Sequence, residues 1–200
     1  GIGTTYDVGD YPAALEAVLD AAGYEELRAE QRVLRDRGDH TLLGIGISCY
    51  VEITASSPGG EFGSVELGRD GRARVTSGAT PAGQGHDTTW SMIVADCTGI
   101  PLDMIDVIHG DTDQVPRGGL TVGSRSVQLG GSALAHASTK LVDAARRVAA
   151  ERLEANEADI VLDADLAVFH VVGSPAISLS WSDLAAGLDE PLYEFDDFTS

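Results

Sequence analysis

The sequence predicts an α+β fold, with helices packed on one side of mixed sheet segments and one long buried helix among them. Three observations carry this. Apolar residues recur at helical spacing in some windows and alternate in others, with glycine, proline or aspartate between them. Hydrophobic residues make up 43% of 200, enough to bury a core as a single domain or two tightly joined lobes. Two glycine-rich polar turns, Gly83-Gln84-Gly85-His86-Asp87-Thr88-Thr89 and Thr121-Val122-Gly123-Ser124-Arg125-Ser126, each open into a helix-like run and are expected at the same end of the fold.

Asp10 is placed to cap a first helix with Pro12 in its first turn, and Leu15, Val18, Leu19 and Ala22 follow at helical spacing until Gly23. A second helix runs from about Tyr24 to Arg37 and ends at Gly38; rich in Glu and Arg, it should lie exposed. Residues 41 to 54 read as a long buried strand. Alternation of Val65 and Leu67, then Ala73 and Val75, around Arg69-Asp70-Gly71 signals a hairpin with a tight Asp-Gly turn.

After the first glycine turn, Trp90, Ile93, Val94 and Cys97 share one face of a helix from about Asp87 to Cys97, which assigns them to the core. Residues 105 to 109 return as a strand, and residues 110 to 124 form a polar loop. From Arg125 to about Leu153 runs the long helix, whose Gly130, Gly131, Ala133, Ala135 and Ala137 admit close backbone packing. Residues 160 to 172 read as a hairpin about Asp163-Ala164-Asp165, Ile177 to Leu179 extend the sheet, and Ser182 caps a last short helix.

Thirteen Lys and Arg against 32 Asp and Glu give a net charge of −19, which excludes the basic footprint that nucleic acid or an anionic membrane surface requires. No apolar stretch approaches the roughly 20 residues that span a bilayer, and no signal-peptide pattern opens the chain, so it reads as cytoplasmic. Cys49 and Cys97 lack metal-ligand spacing and read as reduced, buried thiols. Asp111-Thr112-Asp113 lacks the later ligands of a calcium loop, since Val115, Pro116 and Val122 stand where an oxygen ligand, glycine and an acid belong. This polar loop is expected to brace the turns. His109, His136 and His170 are scattered and read as structural, and neither a metal set nor a catalytic grouping emerges.

Each glycine turn suits an anion. A helix start leaves N–H groups unpaired and carries about half a positive charge, so it holds phosphate without lysines. Gln84 offers an amide donor and acceptor from a fixed turn. Ser124 and Ser126 offer hydroxyl donors, and Arg125 a planar fork. The residues alone leave alternatives open: a surface or capping role for His86, an ordinary ion pair for Arg125, and a phosphate-ligand or protein-binding module without redox activity.

Together with Thr80-Pro81-Ala82, His109-Gly110-Asp111-Thr112-Asp113, Thr5-Tyr6-Asp7-Val8-Gly9-Asp10-Tyr11, Leu42-Leu43-Gly44-Ile45-Gly46 and Tyr50-Val51-Glu52, the two turns resemble the molybdopterin-binding region of molybdenum hydroxylase large subunits. The resemblance is to the xanthine oxidase family, of the aerobic carbon monoxide dehydrogenase type, and covers most of residues 1 to 145. It implies that Gly83, Gln84, Gly85 and His86 contact molybdopterin and its pyrophosphate, and that Thr121, Gly123, Ser124, Arg125 and Ser126 line the dinucleotide side. It also implies a molybdopterin dinucleotide, cytosine form, with molybdenum held by the pterin dithiolene, and electron transfer to iron–sulfur and flavin subunits. The implied reaction is molybdenum-dependent hydroxylation or oxidation, on carbon monoxide or on aldehydes as in aldehyde oxidase. The sequence departs at Asp87, where relatives often carry glutamate, and near Val122, where they carry an aromatic residue.

The chain is thus expected to be one molybdopterin-binding domain fragment of a larger subunit. Residues 1–40 would form a helical lead-in, 41–155 the cofactor-binding core, and 156–200 a hairpin and short helix. Gly1 in place of methionine and a C-terminus without a helix-ending signal read the same way. The substrate loop and the glutamate base of the family have no matching motif in residues 1 to 200, so the fragment alone is expected to be inactive and without bound cofactor. An oligomer is compatible with the sequence.

Overall fold

The computed structural model describes residues 8–55 and 59–199; Thr5, Tyr6 and Asp7 of the resemblance lie outside them. The chain forms two compact units, Gly1–Val51 and Glu52–Ser200.

In the first unit the Asp10 carboxylate accepts from Ala13 N–H at 3.0 Å and caps α1 (Tyr11–Ala21), with Pro12 in the first turn. Left-handed Gly23 (φ 63°) leads into α2 (Tyr24–Arg37), and left-handed Gly38 (φ 67°) ends it by donating to the Arg35 and Leu34 carbonyls. α2 is largely exposed apart from Gln31, whose Nε2 donates to the Leu43 carbonyl at 2.8 Å. Residues 41–53 form no strand and are mostly exposed, contrary to the reading of a buried strand. Their apolar pattern suits a sheet, but a strand needs a neighbour to take its N–H and C=O groups, and no described residue supplies a ladder. Cys49 is therefore exposed, not buried, and it is a free thiol.

The second unit is built on a four-stranded sheet of order β3-β2-β1-β7. β1 (Gly60–Leu67) and β2 (Ala73–Ser77) are antiparallel, with Leu67 opposite Ala73. Residues 68–72 connect them in place of the two-residue turn expected. Gly68 N–H donates to the Arg72 carbonyl at 2.9 Å, and only Gly71 adopts positive φ, 79°. α3 (His86–Thr98) crosses from β2 to parallel β3 (Ile105–Ile108). The long helix begins as a wider π-turn over Ser126–Gly131 and continues as α4 (Ser132–Arg152). Regular α-helix from Arg125 was expected; the π-turn ends in Gly130 and Gly131, residues that favour regular α-helix least after proline, and a Cβ on Gly131 would stand 3.1 Å from Ile93 Cδ1. α4 packs on β1 and β7, so closely that a Cβ on Gly63 would meet Leu134 at 3.0 Å. Leu134 and Leu141 are fully buried, each contributing about 2 kcal/mol relative to exposure. Trp90 and Val94 are also fully buried, as their spacing predicted, and Cys97 is half-buried, which pushes its thiol pKa up.

β4 (Ile160–Asp163), β5 (Val168–Val171) and β6 (Ser174–Ser180) form a second, antiparallel sheet. α5 (Trp181–Ala186) follows, and its Trp181 ring meets Phe169 edge-on at 4.9 Å while its Nε1 donates to the Thr98 carbonyl at 2.9 Å. The cap is Ser180, not Ser182, because Asp183 stands three residues on and its carboxylate accepts from the Ser180 backbone N–H. The bond from the Ser180 hydroxyl in turn holds the Asp183 carboxyl below the usual carboxylate range.

β7 (Leu192–Thr199) was not expected. It pairs along the whole of β1, from Leu67 opposite Leu192 to Gly60 opposite Thr199. Its acidic composition hid it, yet Asp196 is satisfied by Lys140 Nζ at 2.6 Å and His136 Nδ1 at 3.1 Å.

Candidate functional site at the two glycine turns

Gln84, His86 and residues 121–127 line one cavity of about 430 Å³. Two links near the turns set this convergence. Thr80 and Leu120 form a parallel bridge, and the Thr121 hydroxyl donates to the Thr80 carbonyl at 2.7 Å. The loop through Asp111 contributes less than expected. The Asp111 carboxylate accepts from Gln114 Nε2 at 2.6 Å and Asp113 N–H at 2.9 Å, which hold its pKa below the usual range and tie it to its own loop. Among the described residues no group of three or more metal-binding side chains gathers.

The glycines are required by backbone conformation. Gly83 (φ 107°), Gly85 (φ 76°) and Gly123 (φ 57°) are left-handed, and a Cβ on any of them would meet nothing within 4 Å. The space before them is open. Gly85 is the N-cap of α3 and no side chain caps that helix, so its first N–H groups keep their donor capacity. The Gly123 and Ser124 N–H groups likewise bond to no described residue.

The side chains divide between cavity and scaffold. Gln84 Oε1 accepts from Ala82 N–H at 2.6 Å, which fixes the amide and leaves its NH2 donors for a ligand. His86 is buried, its ring meets Trp90 at a tilt of 47° with centroids 4.9 Å apart, and its Nδ1 has no partner. It is neither a surface nor a capping residue. Ser124 Oγ donates to the Glu52 carboxylate and Ser126 Oγ to Thr121 Oγ1 at 3.4 Å, so both hydroxyls are engaged within the protein. Arg125 donates from Nη2 to the Gly60 carbonyl at 2.7 Å and lies 3.5 Å from Glu61 Oε2. Sequence reasoning missed Glu61: an acid in a strand carries no local sign that it is 2% exposed and faces an arginine 64 positions on. His109 bonds Asp87 at 2.9 Å and steadies the start of α3, while His136 and His170 bond Asp196 and the Val171 carbonyl.

Two loop-to-helix junctions far apart in sequence thus meet over one donor-lined space. Residues 17–198 match the family described as molybdopterin cofactor-binding domain. The chain belongs to that family. The carbon monoxide dehydrogenase large chain of Hydrogenophaga pseudoflava is 40% identical over 194 residues, and that of Afipia carboxidovorans 37% over 198. Each match covers 92% of this chain and 24% of the relative, so the chain spans about a quarter of the length of these curated relatives. Among solved structures, reconstituted CO dehydrogenase from Oligotropha carboxidovorans superposes with a TM-score of 0.71 at 33% identity, over 98% of this chain and 27% of that one. Quinoline 2-oxidoreductase from Pseudomonas putida 86 shares the fold, with a TM-score of 0.68 at 24% identity, over 98% of this chain and 27% of that one. The expected α+β class and the resemblance to the xanthine oxidase family both hold.

The cavity fits a molybdopterin cofactor's phosphates. Open left-handed glycines and a helix start would supply N–H donors where an anion would lie, and the buried His86 Nδ1 stands without a partner. No described helix is long and apolar enough to cross a membrane.

Proposed function

We propose that this chain supplies the pyrophosphate-facing wall of a molybdopterin dinucleotide site in the large subunit of a molybdenum hydroxylase. The observation behind it is the convergence of Gln84, His86 and residues 121–127 on one cavity. The N–H groups at the start of α3 and at Gly123 and Ser124 bind phosphate oxygens, and the Gln84 amide N–H reaches a pterin or phosphate acceptor. Gly83 and Gly85 set the first turn. Thr121 and Ser126 hold the second turn in shape, and Arg125 stands within it in the cavity wall. When bound, the cofactor supplies the redox chemistry, with its molybdenum held by the pterin dithiolene; the protein contributes position and surroundings.

The cytosine dinucleotide is the form proposed. In the intact enzyme the subunit oxidises a small carbon substrate, carbon monoxide or an aldehyde, with oxygen from water. Electrons pass to iron–sulfur and flavin subunits in the cytoplasm. Residues 41–155 carry the cofactor contacts, and the chain alone does not turn over substrate. Mass spectrometry of nucleotide released by acid from the intact subunit tests the proposal. Cytidine monophosphate in near-stoichiometric amount, lost on Gln84→Ala, is the expected result. A different nucleotide, or retention unchanged by that substitution, contradicts it.

A further inference from the structure

Among the described residues, Glu61 is a buried charged group that the proposed chemistry leaves unused. Its side chain is 1% exposed, and Oε2 has no hydrogen-bond partner. Oε1 accepts from Gly119 N–H at 3.1 Å, in the loop that leads into the second glycine turn, and Oε2 lies 3.5 Å from Arg125 Nη2 within that turn. One carboxylate therefore joins the loop before the turn to Arg125 within it. Arg125 is itself 18% exposed, with Nε buried and unpartnered, and its Nη2 is fixed on Gly60 of the same strand. The neighbouring glycines keep room for this arrangement, since a Cβ on Gly119 would stand 3.0 Å from Arg125 Nη1 and 3.1 Å from Glu61 Oε2.

A buried carboxylate is stable only with compensation. Arg125 supplies it, and the consequence for the cavity is electrostatic: the one arginine in its wall arrives already neutralised. We propose that Glu61 is a positioning residue of the anion site. It holds the second turn in its binding shape before a ligand arrives and cancels the charge of Arg125, so that anion capture rests on backbone N–H groups. This rests on the reading of the cavity as a phosphate site.

The test compares wild type, Glu61→Gln and Arg125→Gln, titrated with inorganic pyrophosphate at several salt concentrations. Glu61→Gln keeps the shape but frees the arginine charge, so pyrophosphate should bind roughly threefold to tenfold tighter at low salt and depend more steeply on salt. Arg125→Gln leaves Glu61 uncompensated, so it should bind pyrophosphate more weakly than wild type at low salt, with a deficit that shrinks as salt rises. A purely structural Glu61 would leave the salt slope of Glu61→Gln equal to that of wild type, and that result overturns the proposal. Absence of pyrophosphate binding by wild type overturns the phosphate reading and the proposal with it. A separate readout needs no ligand: the Arg125 Nε–H resonance, slow to exchange in wild type, should shift and exchange faster in Glu61→Gln. If that variant does not fold, Glu61→Asp must restore the resonance position partly; an Arg125 signal indifferent to the shorter acid also refutes the pinning.

Discussion

Gly118→Ala is expected to separate the two turns. The added methyl would be driven against the Gly78 carbonyl and to within 2.6 Å of Gly78 Cα, and both obstacles are backbone at the end of β2. No rotamer relieves such a contact, so the cost lies near the upper end of overpacking, about 3 kcal/mol. The loop would yield first. Its neighbour Gly119 holds Glu61, and Leu120 and Thr121 hold Thr80, so displacement reaches the second turn at once. Thermal unfolding should show the lost stability, and dinucleotide retention in the intact subunit should fall at least about tenfold, one decade being only about 1.4 kcal/mol. Full retention would mean that this loop does not set the cavity.

Trp90→Ala should be the most damaging single core change. Trp90 is fully buried on α3, carries the His86 ring and backs Gly130 and Gly131 at 3.6 Å from their would-be Cβ atoms. Truncating it costs about 3–5 kcal/mol, about a fifth or more of the stability of an ordinary domain. Trp90→Phe should cost far less than is usual for such a swap. The indole N–H has no partner, so its removal sacrifices no hydrogen bond. Chemical denaturation of both variants checks this, and equal losses would refute the account of the indole.

What was legible in the sequence was local. Asp10 before Pro12 and Gly23 and Gly38 at helix ends act through their own backbone and neighbours, and those boundaries emerged as read. The glycine turns were legible for the same reason: left-handed glycine before a helix start is a property of a few consecutive residues. What was not legible depended on distant partners. β7 looks acidic because its charges are answered from α4 by Lys140 and His136, some sixty positions earlier. Residues 41–53 carry a strand pattern without a described neighbour to complete it. At the site, the residue types of the second turn were visible but their commitments were not. Ser124 and Ser126 spend their hydroxyls on Glu52 and Thr121, and Arg125 faces a carboxylate across the turn. Backbone N–H groups are left as the principal donors.

The central claim is that both turns act on one anion. The most direct measurement follows backbone amide resonances while the chain is titrated with inorganic pyrophosphate. The amides of Gly85, His86, Asp87, Gly123 and Ser124 should shift together along one binding curve. Shifts confined to a single turn, or two curves with different midpoints, would contradict it.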